Sequence, residues 1–197
     1  MSECYIIGLT GPTGAGKSTV SKVFEEYGAA ILDCDKLARD AVNEKDCIEN
    51  LCRSFGDDIV TDGVLNRALV AKRAFSSEEN AKLLNSITHP VILRLLKEQI
   101  DENKENHKVI VIDAPLLFEA SLENWCDKVI SVIAPFEIRI ERIIKRDNIT
   151  REAALLRMSR QNEDAFYTKR SHYVIDGTTA DIKKEVEKVL KDLQVII

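Results

Sequence analysis

The most chemically loaded stretch of the sequence is Gly11-Pro12-Thr13-Gly14-Ala15-Gly16-Lys17-Ser18, which fits the pattern G-x-x-x-x-G-K-[ST] at every fixed position. Glycines let a backbone wrap closely around an anion, so that successive N–H groups point inward. A helical pattern opens at Lys17, and the positive end of its dipole would add to the same site. Lys17 is expected to reach the β- and γ-phosphates of a nucleotide, and the Ser18 hydroxyl to bind Mg²⁺. A chance glycine turn would lack the apolar strand before the motif and the helix after it, and both are present.

Acids and arginines extend the pattern. Val109-Ile110-Val111-Ile112-Asp113 is an apolar strand ending in a carboxylate, placed to face a phosphate crevice and to hold Mg²⁺ or its water shell. Asp33 and Asp35 follow another apolar run, and one of them is a candidate to take a proton from an attacking hydroxyl. Asp35 would serve equally as the N-cap of the helix that follows. Between Ile138 and Arg170 there are nine Lys/Arg against five Asp/Glu, a basic island in a chain of net charge −5. Arg139, Arg142 and Arg146 are spaced three and four apart and so share a helix face. Guanidinium forks suit phosphate oxygens, and the segment reads as a lid over them. The three histidines follow no metal-ligand spacing; His89, before Pro90 at an expected helix start, is the one of interest.

These residues need a scaffold, and its pattern is plain. Cys4–Leu9, Ala29–Leu32, Val109–Ile112, Val129–Ile133 and Tyr173–Ile175 are nearly all apolar rather than alternating, as strands buried on both faces must be. Helical patterns at Lys17–Glu26, Glu137–Arg146, Ile149–Gln161 and Ile182–Leu193 separate most of them, the last opened by a Thr178/Asp181 capping box. Alternating strands and helices imply an α/β doubly wound parallel sheet of five strands. About 75 residues separate the second strand from the third, far more than a crossover requires. They read as helices over Lys36–Val42, Asp46–Phe55, Val64–Phe75, Glu78–Ile87 and Val91–Asn103, an insertion on the substrate side.

Composition narrows the function. At 197 residues with 45% hydrophobic and 31% charged, the chain suits one folded domain rather than disorder. No run approaches the roughly 20 apolar residues of a membrane span. The acidic start entering a strand at once does not read as a secretory signal, and five cysteines without a C-x-x-C pair read as free buried thiols in a reducing cytoplasm. Net charge −5 argues against a general nucleic-acid binder. A GTPase would carry N-K-x-D, which is absent, and a motor ATPase would need a larger core. A small-molecule kinase remains.

Along nearly the whole chain the sequence resembles the dephospho-coenzyme A kinase family. Gly8-Leu9-Thr10-Gly11 through Ser18-Thr19, Asp33-Cys34-Asp35 followed by Leu37-Ala38-Arg39, His89-Pro90, Asp113-Ala114-Pro115-Leu116-Leu117-Phe118-Glu119, and Glu141-Arg142 through Arg157-Met158-Ser159-Arg160-Gln161 carry the likeness. The resemblance implies transfer of a phosphoryl group from ATP to the ribose 3′-hydroxyl of dephospho-CoA, the last step of coenzyme A synthesis. It implies a P-loop kinase core (1–35, 105–136 and 166–197), a helical CoA-binding insertion (about 36–104) and a helical lid (about 137–165). It favours Asp35 as base with Asp33 beside it, and Lys17 and Arg142 on the transferring group. ATP would lie on Gly11, Thr13, Gly14, Ala15, Gly16, Lys17, Ser18, Thr19, Arg142 and Arg146, with Mg²⁺ on Ser18 and Asp113. Arg67, His89 and Glu119 would meet the substrate. The family's Asn-Gly after the last strand is replaced by Asp176-Gly177. A cytoplasmic monomer or weak homo-oligomer is expected, with no nucleic-acid or membrane partner. The alternatives are a kinase for another metabolite, such as a nucleoside monophosphate, or a non-catalytic ATP-binding regulator.

Overall fold

The structure, a computed structural model, describes residues 4–195. Chain order begins β1 (Tyr5–Thr10), α1 (Lys17–Glu26), β2 (Ala30–Asp33), α2 (Cys34–Ala41) and α3 (Lys45–Phe55). Then come the two-residue strands β3 (Val60–Thr61) and β4 (Val64–Leu65), followed by α4 (Arg67–Ala74), α5 (Glu78–Asn103) and β5 (Val109–Asp113). The remainder is β6 (Lys128–Ile133), α6 (Phe136–Asp147), α7 (Arg151–Met158), α8 (Asp164–Thr168), β7 (Tyr173–Asp176) and α9 (Ile182–Asp192). Two compact units result, Met1–Asp33 with Glu102–Ile197, and Cys34–Asp101.

The first unit is built on a five-stranded, wholly parallel sheet in the order β2-β5-β1-β6-β7. One face carries Ile7, Leu9, Val109, Val111, Ile130, Val132 and Ile175, packed with Val20 and Phe24 of α1 and Val186, Val189 and Leu190 of α9. Ile110 and Ile112 point the other way and are equally buried. Burial on both faces explains why these strands are continuous apolar runs. The chain winds first to one side of β1 and then to the other, which makes the carboxyl ends of β1 and its neighbours a topological switch point, where open α/β sheets form their crevice.

The second unit has its own core of Ala41, Cys47, Leu51, Phe55, Ile59, Leu65, Val70, Ala74 and Val91. Two details depart from the pattern-based reading. Val64 and Leu65 are not helical: they close an antiparallel hairpin with β3 around Asp62 and Gly63, both at positive φ (51° and 77°). Such a two-residue Asp-Gly loop matches strand twist, and α4 starts only after it, capped by Asn66. The expected break at His89-Pro90 is also absent, since α5 runs unbroken through Pro90. Proline removes a single ladder donor, and both Pro90 and Ser86, whose carbonyl loses its partner, are exposed to water. His89 therefore sits inside a helix rather than at its start.

Near the termini, Asp181 is the N-cap of α9 but makes no side-chain cap bond, accepting instead from Lys184 Nζ at 3.0 Å. Thr178 bonds to Asp176, so the expected capping box does not form. None of the five cysteines is in a disulfide, and only Cys47 is buried. No helix among the described residues is long and apolar enough to cross a membrane.

If the central sheet is held from both faces, Ile130→Ala, at a site with no exposure, should lower unfolding free energy by about 2–5 kcal/mol. Urea denaturation reads this directly, and a midpoint matching the parent would contradict the packing described.

Candidate active site

The phosphate-loop motif spans the turn from β1 to α1, with Gly11, Gly14 and Gly16 at φ of 139°, 77° and 109°. Helix α1 is capped by Gly16, so no side chain occupies its first N–H groups, and its first turn holds no acid. By contrast, Asn66 and Thr150 bond to the starts of α4 and α7 with their side chains. The start of α1 is thus left open to an anion.

Three elements press on this loop. A Cβ on Gly11 would lie 2.1 Å from the Val132 carbonyl oxygen, and one on Gly14 would lie 2.7 Å from that of Arg139. Gly177, just past β7, approaches from the other side, and a Cβ there would fall 1.8 Å from the Ala15 carbonyl oxygen. The Gly177 N–H donates to Ile133 O at 2.8 Å, which fixes that approach.

Lys17 and Asp113 converge beneath the loop. Lys17 Nζ is 3.9 Å from Asp113 Oδ1, and the Ser21 hydroxyl donates to Asp113 Oδ2 at 2.6 Å. Asp33 pairs in register with Asp113 across β2 and β5 and is exposed at the sheet's carboxyl edge. Ser18 and Thr19 are exposed in the first turn of α1. The Asp176 carboxylate accepts from Thr178 N–H and from its hydroxyl at 2.8 and 2.7 Å, closing the turn where the resembling family has Asn.

The three arginines of α6 all reach the loop, Arg139 and Arg142 on its carbonyls and Arg146 on the Thr13 hydroxyl at 3.4 Å. Arg142 donates through Nη1 to Gly14 O and Ala15 O, both at 3.1 Å, and through Nη2 to Gly177 O at 2.9 Å. Arg139 is buried, with its Nε on Thr13 O at 3.1 Å and its Nη1 on Asp164 Oδ1 at 3.1 Å. Burial pushes its guanidinium below the ordinary arginine value, and Asp164 opposes that shift. Arg146 is exposed and forks onto Asp147, its Nε to Oδ1 at 2.8 Å and its Nη2 to Oδ2 at 2.9 Å; Asp147 also accepts from Arg157. Hydrogen bonds from Arg146 first, then from Arg157, pull the Asp147 carboxyl down to about 2.

Of the other residues singled out, Glu119 is exposed and accepts from Asn162 Nδ2 at 2.8 Å. Asp35, Arg67 and His89 belong to the second unit. Asp35 is exposed in the first turn of α2, Arg67 donates to Arg39 O at 3.0 Å and Asn43 Oδ1 at 3.1 Å, and His89 is half-buried on α5. Sequence reasoning missed Ser21, although it lies one helical turn after Lys17 and so on the same face. It also missed Gln161 as a partner of the loop, because that contact spans 148 positions.

Two tests follow from this geometry. Arg142→Lys keeps the charge but loses the planar fork, so affinity for a non-hydrolysable ATP analogue should fall by about tenfold in calorimetry. Unaltered affinity would mean that the three carbonyl bonds do not shape the loop. A carboxylate with a lowered pKa stabilises the fold above its unfolded value, and that contribution is lost as pH falls through the folded value. For Asp147 the window runs from 3.8 down to about 2. Carboxyl-carbon NMR should therefore find Asp147 still ionised near pH 3, whereas a midpoint at the ordinary aspartate value would refute the double pairing.

Known proteins match the chain over nearly its whole length. A family model described as "CoaE: Dephospho-CoA kinase" matches residues 5–182. A dephospho-CoA kinase from Fusobacterium nucleatum is 37% identical, with the match covering 93% of this chain and 95% of the relative. One from Corynebacterium diphtheriae is 38% identical over 95% of this chain and 94% of its own. Among solved structures, TT1252 from Thermus thermophilus superposes with a TM-score of 0.83 at 33% identity, covering 98% of this chain and 97% of that one. With its parallel sheet, phosphate loop and near-complete match to these relatives, the chain belongs to the dephospho-CoA kinase family.

Proposed function

We propose that this chain moves the γ-phosphoryl group of ATP to the ribose 3′-hydroxyl of dephospho-CoA, giving ADP and CoA and completing coenzyme A biosynthesis. The observation that carries the reading is a complete phosphate loop with Lys17 and Asp113 beneath it, in a chain that matches the family over residues 5–182. ATP phosphates lie along Gly11 and Thr13 to Thr19, held chiefly at the open start of α1, since the Thr13 N–H is engaged by Gln161. Lys17 follows the γ-phosphoryl group, and Arg142 and Arg146 add positive charge from α6.

Ser18 offers a hydroxyl and Asp113 a carboxylate, hard oxygen donors that fit Mg²⁺ sharing its shell with phosphates and water. Among the described residues no three His, Cys, Asp or Glu side chains form a metal cage, and a phosphate-borne ion needs none. When bound, the ion offsets charge on the β- and γ-phosphates. Ser21 keeps Asp113 oriented for this role.

Asp35, with Asp33 two residues before it, receives the proton of the 3′-hydroxyl as its oxygen attacks the γ-phosphorus. The bond to the β–γ bridging oxygen breaks, and that oxygen leaves with ADP. The unit Cys34–Asp101 supplies the CoA-binding surface, with Arg67 and His89 on it and Glu119 contributing from the core. Residues 137–165 act as the lid. The setting is cytoplasmic, and the protein works as a monomer or weak homo-oligomer.

The deciding experiment is coupled ADP release with ATP, Mg²⁺ and dephospho-CoA, run beside AMP and adenosine as acceptors. Release with dephospho-CoA alone is expected, and release with AMP instead would overturn the acceptor assignment. In the same assay Lys17→Ala should lose roughly 10²–10³ in kcat. Asp35→Asn should lose roughly 10²-fold or more with ATP affinity retained, and equal losses in rate and affinity would remove Asp35 as the base.

A further inference from the structure

Thr13 stands at the tip of the phosphate loop, and each of its polar groups is taken by the stretch that follows β6. Its N–H donates to Gln161 Oε1 at 3.0 Å, its carbonyl accepts from Arg139 Nε at 3.1 Å, and its hydroxyl accepts from Arg146 Nη2 at 3.4 Å. The neighbouring Gly14 packs directly on the Arg139 backbone. Gln161 lies just past α7, its own N–H donating to Met158 O at 3.0 Å. The tip is therefore gripped from both ends of the α6–α7 segment, by a buried arginine at the start and a half-buried amide at the finish.

A neutral acceptor at Gln161 has a physical advantage. An amide oxygen fixes the Thr13 N–H without placing negative charge a few ångström from the bound triphosphate, as a carboxylate would. Donors fixed before the ligand arrives need no reorganisation during phosphoryl transfer. We propose that Gln161 is a positioning residue for the reaction: with Arg139 it sets the tip of the phosphate loop, and so couples the placement of α6 and α7 to the readiness of the phosphate site. The proposal rests on the kinase reading above.

Two variants test it. Gln161→Leu removes the acceptor, and should lower kcat/KM for ATP roughly three- to tenfold, the range of one lost hydrogen bond, while shifting the Thr13 amide cross-peak in ¹⁵N-resolved NMR. Gln161→Glu keeps an acceptor, so it should restore thermal stability and the Thr13 cross-peak. It should nonetheless raise KM for ATP near pH 8, where the new carboxylate is ionised close to the triphosphate. Parent-like kcat/KM in the leucine variant, or a parent-like KM for ATP in the glutamate variant, would overturn the proposal and leave Gln161 as a packing residue. The unaltered protein serves as control. Should it lack acceptor-dependent turnover, the function assignment fails, and the Thr13 cross-peak and ATP-analogue affinity of the two variants still decide the role of Gln161.

Discussion

Three glycines sit where the phosphate loop touches backbone from other parts of the sheet unit, and that close approach governs the rest of the site. Side chains at Gly11, Gly14 or Gly177 would run into the carbonyls of Val132, Arg139 or Ala15. Without side chains the three segments close on one another, and the loop is wedged between the ends of β6 and β7 and the first turn of α6. The positive φ values at Gly11 and Gly14 permit the loop's curvature. The Gly177 contact gives that curvature something to rest against.

Charge then acts on a loop already shaped. In a trans peptide the carbonyl and the following N–H point in opposite directions. Arg142, bonded to the Ala15 carbonyl, therefore turns the Gly16 N–H toward the opposite side, where an anion would be bound. Its cation also lies behind a site meant for a highly charged ligand, so orientation and electrostatics agree. Arg139 works under a different constraint. It is buried, and burial of a guanidinium is tolerable only because Thr13 O and Asp164 take its donors. The basic island in an acidic chain thus divides its work: Arg139 and Arg142 brace the loop, and Arg146 remains at the surface, steered by Asp147.

How much of this was legible in the sequence follows from the range of the forces involved. The loop, α1 and the five strands could be read because burial on both faces and the glycine spacing leave local marks. Asp113 could be read because a carboxylate closing an apolar strand has few other places to be. The Asp62-Gly63 hairpin also left a local mark, yet the helical periodicity running on from Val64 obscured it. Pro90 looked like a helix break because its missing donor is a local fact, whereas the exposure that makes the loss harmless is a tertiary one. The need for glycine at 177 and the grip of Gln161 on Thr13 arise from segments more than 140 positions apart, so no local pattern announces them. The arginine face of α6 was visible as spacing, but not the choice between binding phosphate directly and holding the carbonyls behind it.

The braced loop is the central claim, and ligand affinity after a single methyl group is added at its support tests it most directly. In Gly177→Ala the new Cβ would meet the Ala15 carbonyl oxygen at 1.8 Å, so loop and turn must part. Calorimetry with ADP and Mg²⁺ should show affinity reduced by about tenfold or more, while denaturant unfolding stays a single cooperative transition. Parent-like affinity in a folded Gly177→Ala protein would contradict the claim, because the loop would then hold its shape without that support.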